Sequence, residues 1–257
     1  MPPTHQKRRP SSEDASEDVN AASDDAATSG RGESVARAYD QLRELIVWGR
    51  LAPGTRIVES EIADRLGVSR TPTRSAIHRL QQEGYVTALD RAKERRLIVA
   101  PLTMADAREL FHIVGQLEGL AARAAAELPE AARLAIVARM EAVNAELAEV
   151  ARGARPDPLR IFDLDTGFHR EYVLGGAGPR LLALHDATKP QAERYIRLYI
   201  SSLVDEIHTS AEEHVLIIAA LREGDAVAAQ QSVDTNWRNA AVRLSRVIGV
   251  HGERGSW

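Results

Sequence analysis

The stretch PGTRIVESEIADRLGVSRTPTRSAIHRLQQEGYV, residues 53–86, decides the fold. Pro53-Gly54 marks a turn. Behind it Ile62, Ala63 and Leu66 recur at helical spacing over about 60–66, with Ser60 placed to cap the helix. Gly67 breaks that helix and Val68 plugs the turn. A further helix opens at Ser69-Arg70-Thr71-Pro72. Ser69 is placed to cap it, and Pro72 sits in the first turn, where its missing N–H is not needed. Ala76, Ile77 and Leu80 form its buried stripe, and Gly84 ends it. Two helices joined by a tight glycine turn suit the major groove of DNA when the second carries polar residues outward. Here Ser69, Arg70, Thr71, Thr73, Arg74 and His78 fill that role. Arginine pairs with the guanine edge, while hydroxyls and a helix N-terminus hold phosphate. A solvated helix face is the plain alternative for the same residues.

Upstream, Val35, Ala38, Tyr39, Leu42, Leu45 and Ile46 predict an amphipathic helix that runs out near Trp48-Gly49. Downstream, the β-prone runs Tyr85–Leu89 and Arg96–Ala100 flank the polar segment DRAKER and predict a hairpin. Residues 34–100 therefore read as helix, helix, turn, helix, hairpin: a winged helix-turn-helix. Residues 1–33, rich in Ser, Ala, Asp and Glu, read as a disordered tail. Pro101 marks a boundary. Beyond it the pattern predicts helices near 103–127, 130–152, 158–174, 179–203, 206–222 and 225–248, punctuated by Pro129, Pro158, Gly175-Gly176 and Gly224. The expected fold is mostly α, with an all-α antiparallel helical bundle over 101–250 and a short tail at 251–257.

Composition narrows the function. The chain has no cysteine, which removes disulfides, thiolate zinc sites and a cysteine nucleophile. No apolar run approaches the roughly 20 residues of a membrane span, and the N-terminal segment lacks the apolar stretch of a secretory signal. A cytoplasmic protein is expected. Residues 34–100 carry 12 basic and 8 acidic groups inside a chain of net charge -4. A basic module in an otherwise acidic chain is what phosphate contact requires. In the helical part, Asp165 and His169 stand four apart and share one helix face, half of a divalent-metal site. Such pairs also occur on ordinary exposed helices. No glycine-rich phosphate loop or nucleophile elbow appears. Trp48 and Trp237 read as packing anchors, and His112, His185 and His208 as surface or core histidines.

Residues 53–86 resemble the winged helix-turn-helix of the GntR superfamily, through the pattern GVSRTPxRxAxxRLxxxGxV. The resemblance implies that Ser69, Arg70, Thr71 and Arg74 contact the operator. The family's wing usually has a glycine at its tip, and this one does not; Lys93, Arg95 and Arg96 are expected to reach phosphate instead. The segments FHIVGQLEGLAARAAAE (111–127), FDLDTGFHREYV (162–173), QAERYIRLY (191–199) and EEHVLIIAALREGD (212–225) resemble the FCD ligand-binding domain of the FadR-type subfamily, in its shorter VanR-like form.

That likeness implies a homodimer, an inverted-repeat operator and a small-molecule effector, such as a carboxylate. It also implies a divalent metal, zinc or nickel-like, held by an aspartate and three histidines. Asp165, His169 and His214 match three of these positions, and Asn236 stands at the fourth. An amide oxygen is a weaker ligand than imidazole for such ions. Asn236 ligates through oxygen, or three residues hold the ion with water or effector, or the pocket takes an organic effector without metal. Val114 stands where the family often has an arginine, which weakens the case for an ordinary acid effector. Arg194, Tyr195 and Tyr199 are expected to line the cavity. The reading is an effector-responsive repressor and not an enzyme. A constitutive DNA-binding protein with a decayed effector site and a metal-dependent hydrolase are the alternatives.

Overall fold

The computed structural model describes residues 32–91 and 94–255. Residues 1–31 of the expected tail (1–33) and the wing-tip Lys93 lie outside the described residues, as does the side chain of Arg95, while residues 32 and 33 belong to the first helix.

The first helix, α1 (32–47), opens two residues before the expected start. It buries Ala38, Leu42 and Ile46 against Ile62, Ala76, Ile77, Leu80 and Tyr85. Each leucine or isoleucine so buried contributes about 1.5–3 kcal/mol. Helix α2 (Glu59–Leu66) is entered from Val58, two residues earlier than the expected cap at Ser60. It ends on Gly67 at φ 64°, whose N–H reaches back to the Ala63 and Asp64 carbonyls. Only a residue without Cβ adopts that left-handed conformation without strain. Helix α3 (Arg70–Gln82) starts after Ser69, as expected, although the Ser69 hydroxyl makes no capping bond. Strands β1 (Val86–Arg91) and β2 (Glu94–Val99) pair antiparallel, from Val86 opposite Val99 to Arg91 opposite Glu94. Arg56 bridges to Ile98 and braces the hairpin against the segment before α2.

Six long helices follow: α4 (Met104–Ala126), α5 (Glu130–Arg152), α6 (Pro158–Gly176), α7 (Pro179–Leu203), α8 (Ile207–Glu223) and α9 (Ala226–His251). Their starts are written in the sequence. Thr103, Asp157 and Asp225 each accept a backbone N–H from the first turn that follows, a cap worth about 1 kcal/mol. Helix α4 runs through the middle of the bundle, against α9, α6 and α7. It lies tightly against the end of α6, where a Cβ on Gly176 would stand 2.0 Å from the Ala121 carbonyl oxygen. Helix α9 continues to His251, past the expected end at 248.

The two parts meet at residues 100–103. Arg194 Nη2 donates to the Ala100 carbonyl at 2.8 Å, and Thr103 N–H donates to the Tyr195 hydroxyl at 3.0 Å. Leu102 exchanges backbone bonds with Arg254, and the Tyr199 hydroxyl donates to the Gly252 carbonyl at 2.8 Å. Among the described residues no helix is long and apolar enough to cross a membrane.

Candidate nucleic-acid interface and metal centre

The candidate recognition face is the N-terminal half of α3. Ser69, Arg70, Thr71, Arg74 and His78 are exposed there. Thr73 is not: it is fully buried, and its hydroxyl donates to the Ser69 carbonyl at 2.9 Å. The expectation that Thr73 faces DNA is corrected, because position 73 falls on the same helix side as Ala76, Ile77 and Leu80. Ser75, exposed between the arginines and His78, was not among the expected contacts. Arg74 lies against Glu59 of α2, with Nη2 2.9 Å from Oε2. Arg96 is exposed on β2.

In the helical domain, Asp165 and His169 of α6 meet His214 of α8. One ligand atom from each lies within 4.8 Å of the others. Asn144 of α5 fixes the state of His214. Its amide nitrogen donates to the Ala211 carbonyl at 3.0 Å, so its oxygen is left to accept from His214 Nδ1, also at 3.0 Å. His214 Nε2 therefore keeps its lone pair. That atom is buried, has no hydrogen-bond partner, and stands 3.6 Å from the Asp165 carboxylate. Burial, and then the neighbouring His169 and Arg243, push the His214 imidazolium well below the usual range. His169 is oriented alike, since its Nδ1 donates to Glu118 at 2.6 Å. A histidine whose Nδ1–H is held by a carboxylate or amide offers Nε2 to a cation. The orphaned Nε2, the second oriented imidazole and the carboxylate beside them fit a divalent ion bound by three residues.

Asn236 of α9 lines the same cavity, but its amide nitrogen donates to Glu213 at 2.7 Å. Glu213 also takes the Arg243 guanidinium at 2.8 and 3.1 Å and the Asn239 amide at 2.9 Å. The cavity holds about 60 Å³, with Phe111, Phe162, Ile200 and Trp237 as apolar walls and Asp165, His169, Ser210 and Arg243 among its polar groups. Arg194, Tyr195 and Tyr199 do not line it. Their polar ends are spent on Ala100, Asp106 and Gly252 at the junction of the two domains, which corrects the expectation that they contact an effector.

Glu118 of α4 is the residue that sequence reasoning missed. It is wholly buried, and its Oε2 accepts from His169 Nδ1, the Tyr172 hydroxyl and Trp237 Nε1. Its Oε1 meets His185 Nε2 at 3.1 Å and the Lys189 ammonium at 3.3 Å. Burial alone would raise this carboxyl. The ammonium of Lys189 and the hydrogen bonds from His169 and His185 outweigh it and hold the group well below the usual carboxylate range. His185 and Trp237 thus have polar duties beyond filling the core.

Residues 34–92 match the model described as "Bacterial regulatory proteins, gntR family", and residues 109–238 match that of the FCD domain. An HTH-type transcriptional regulator of Streptomyces ambofaciens, uncharacterized and from an unstable DNA locus, is 31% identical over 215 residues, 81% of this chain and 84% of its own. A probable D-xylose utilization operon transcriptional repressor of Paenarthrobacter nicotinovorans is 30% identical over 198 residues, 75% and 82% of the two chains. Among solved structures, E. coli McbR/YncC superposes with a TM-score of 0.62 at 18% identity, over 83% of this chain and 97% of its own. A putative GntR regulator from Rhodococcus sp. RHA1 gives 0.57 at 22% identity, over 84% and 97%.

Proposed function

The chain belongs to the GntR family of bacterial regulatory proteins, with an FCD domain behind its helix-turn-helix, and from that premise we propose that it is a repressor released by a small molecule. As a DNA-binding transcriptional regulator it offers Arg70, Thr71 and Arg74 to the major groove. The helical domain pairs two copies, so that two α3 helices address an inverted repeat with half-sites about one helical turn apart. Asp165, His169 and His214 hold a divalent cation, zinc or nickel-like. The remaining coordination positions face the cavity, where the effector completes them.

The observation that carries this reading is the buried, partnerless Nε2 of His214, 3.6 Å from the carboxylate of Asp165, which with His169 lines the neighbouring cavity. A packed core would not leave such an atom unsatisfied, since an unpaired buried acceptor costs about 1–3 kcal/mol. A hydrolase would need a free general base beside an open metal position. The nearby carboxylates are committed instead: Glu118 to His169, Lys189 and Trp237, Glu213 to Arg243, and Glu206 to Arg246. The ion here serves binding. An effector releases DNA only to the extent that it prefers one arrangement of the two DNA-binding domains over the other.

The experiment selects duplexes from a random pool with the full-length protein and compares wild type with Arg70→Ala at one salt concentration. An enriched inverted repeat, bound by a dimer and weakened at least about tenfold in Arg70→Ala, is the expected result. Equal binding by the variant would overturn the assignment of the recognition face.

A further inference from the structure

Helix α7 carries a proline at position 190, well inside its span. Proline has no N–H, so the regular helical bond from residue 190 back to the Asp186 carbonyl cannot form. That carbonyl accepts from another source: Arg43 Nη2, at 2.9 Å. Arg43 stands on α1 of the DNA-binding domain, and its Nε donates to the Tyr85 hydroxyl at 3.3 Å, at the step from α3 into the wing.

The same short segment of α7 is tied to the cation site from two directions. The Asp186 carboxylate pairs with Arg170, the residue that follows His169 on α6. Its neighbour His185 meets Glu118, and Glu118 orients His169. A groove lined by Arg43, Thr166, Arg170, Lys189 and Glu193 runs through this junction and reaches Glu118 and His169. The residues between the two domains here are therefore polar and bordered by open space, and they shift more readily than a packed apolar seam.

We propose that Arg43, gripping the carbonyl that Pro190 leaves open, is the positioning residue through which occupancy of the cation site sets the posture of the DNA-binding domain. This rests on the reading of Asp165, His169 and His214 as cation ligands. A cation on His169 Nε2 draws the ring along its own axis. Glu118 follows through the bond to Nδ1, His185 and Asp186 follow Glu118, and the Asp186 carbonyl moves against Arg43. Small displacements at such a junction are enough to bias two discrete arrangements. Any coupling of this kind is reciprocal in binding free energy.

The test uses full-length protein with zinc alone as the probe, in wild type, Arg43→Ala and Pro190→Ala. Pro190→Ala restores the helical N–H to Asp186 and touches neither a ligand nor Arg43. Zinc binding is read by competition with a chromophoric chelator, and the response of α1 by backbone hydrogen exchange over 40–48. Zinc is expected to change α1 exchange by about fivefold or more in wild type. Both variants should still bind zinc yet lose most of that change. Persistence of the α1 response in both variants overturns the proposal, and so does zinc bound by wild type with no α1 response. Failure of wild type to bind zinc at all overturns the cation reading, and this proposal with it.

Discussion

Glu118→Gln tests the buried charge cluster. Glutamine keeps the shape of the side chain but replaces one accepting oxygen with an NH2. On the Oε2 side it would face His169, Tyr172 and Trp237, all donors. On the Oε1 side it faces His185, which adapts by changing tautomer, and Lys189, which does not. The conflict therefore settles on Lys189, a buried ammonium left with the face of Trp237 at 4.7 Å and no carboxylate in direct contact. If Lys189 stays charged, breaking the buried pair costs about 3–5 kcal/mol. If it sheds its proton at pH 7, against an unfolded value near 10.4, the cost is about 4.6 kcal/mol. Either route removes a large part of a stability of about 5–15 kcal/mol. The variant also acquires a pH signature. Lys189 would be neutral in the folded protein and protonated in the unfolded chain, so the unfolded state binds the extra proton and stability rises with pH. Between pH 7 and 9 the added slope reaches about 1.4 kcal/mol per unit. Urea unfolding of chelator-treated protein at pH 7, 8 and 9 measures both quantities. Lys189→Met added to Glu118→Gln should recover most of the loss. A loss under about 1 kcal/mol with no added slope, or a double variant no better than the single one, would refute the reasoning.

Other outcomes follow from the same contacts. His214 is kept neutral by burial, whereas the unfolded chain protonates near 6.5. In chelator-treated protein its contribution is full above that pH and declines as pH falls toward the depressed folded value, by up to about 1.4 kcal/mol per unit; His214→Gln should flatten the curve. Gly176→Ala sets a methyl 2.0 Å from the Ala121 carbonyl oxygen and 2.6 Å from the Ala125 nitrogen. It should lower stability by about 3 kcal/mol, read as a drop in Tm, and an unchanged Tm would mean that α4 and α6 part easily. Glu59→Gln frees Arg74 from its ion pair; fluorescence anisotropy on a selected duplex should show tighter binding at low salt, with little change in thermal stability.

The helices were legible because their boundaries are chemical. Asp157-Pro158, Gly224-Asp225 and the Gly67 turn fall where an N-cap, a C-cap and a left-handed residue are needed, and each is visible without coordinates. Asp165 and His169 were legible as a pair because four residues make one helical turn. The error at Thr73 came from treating a threonine in a polar run as outward; its position relative to Ala76, Ile77 and Leu80 already put it on the buried side. Arg194, Tyr195 and Tyr199 were misplaced for a different reason. They do lie on buried turns of α7, but which partner a buried face meets is a tertiary fact, and here it is the domain junction. Glu118 left a trace that went unread. It sits at apolar spacing among Phe111, Val114, Ala122 and Ala125, and a carboxylate there requires a buried cation or donors. His185 and Lys189, four apart on α7, were the matching half. That these two faces oppose each other depends on how α4 and α7 pack, which no local pattern encodes.

Release of DNA by an effector, as proposed, depends on Asp165, His169 and His214 holding one divalent ion. The most direct test of that ion is the metal content, by mass spectrometry, of full-length protein purified without added metal or chelator, beside His169→Ala and His214→Ala. The account predicts about one zinc or nickel-like ion per subunit in wild type and its loss from both variants, while Glu118, Asn144 and the surrounding helices keep the fold. Wild-type protein that carries no ion and takes none up when zinc is supplied would contradict it.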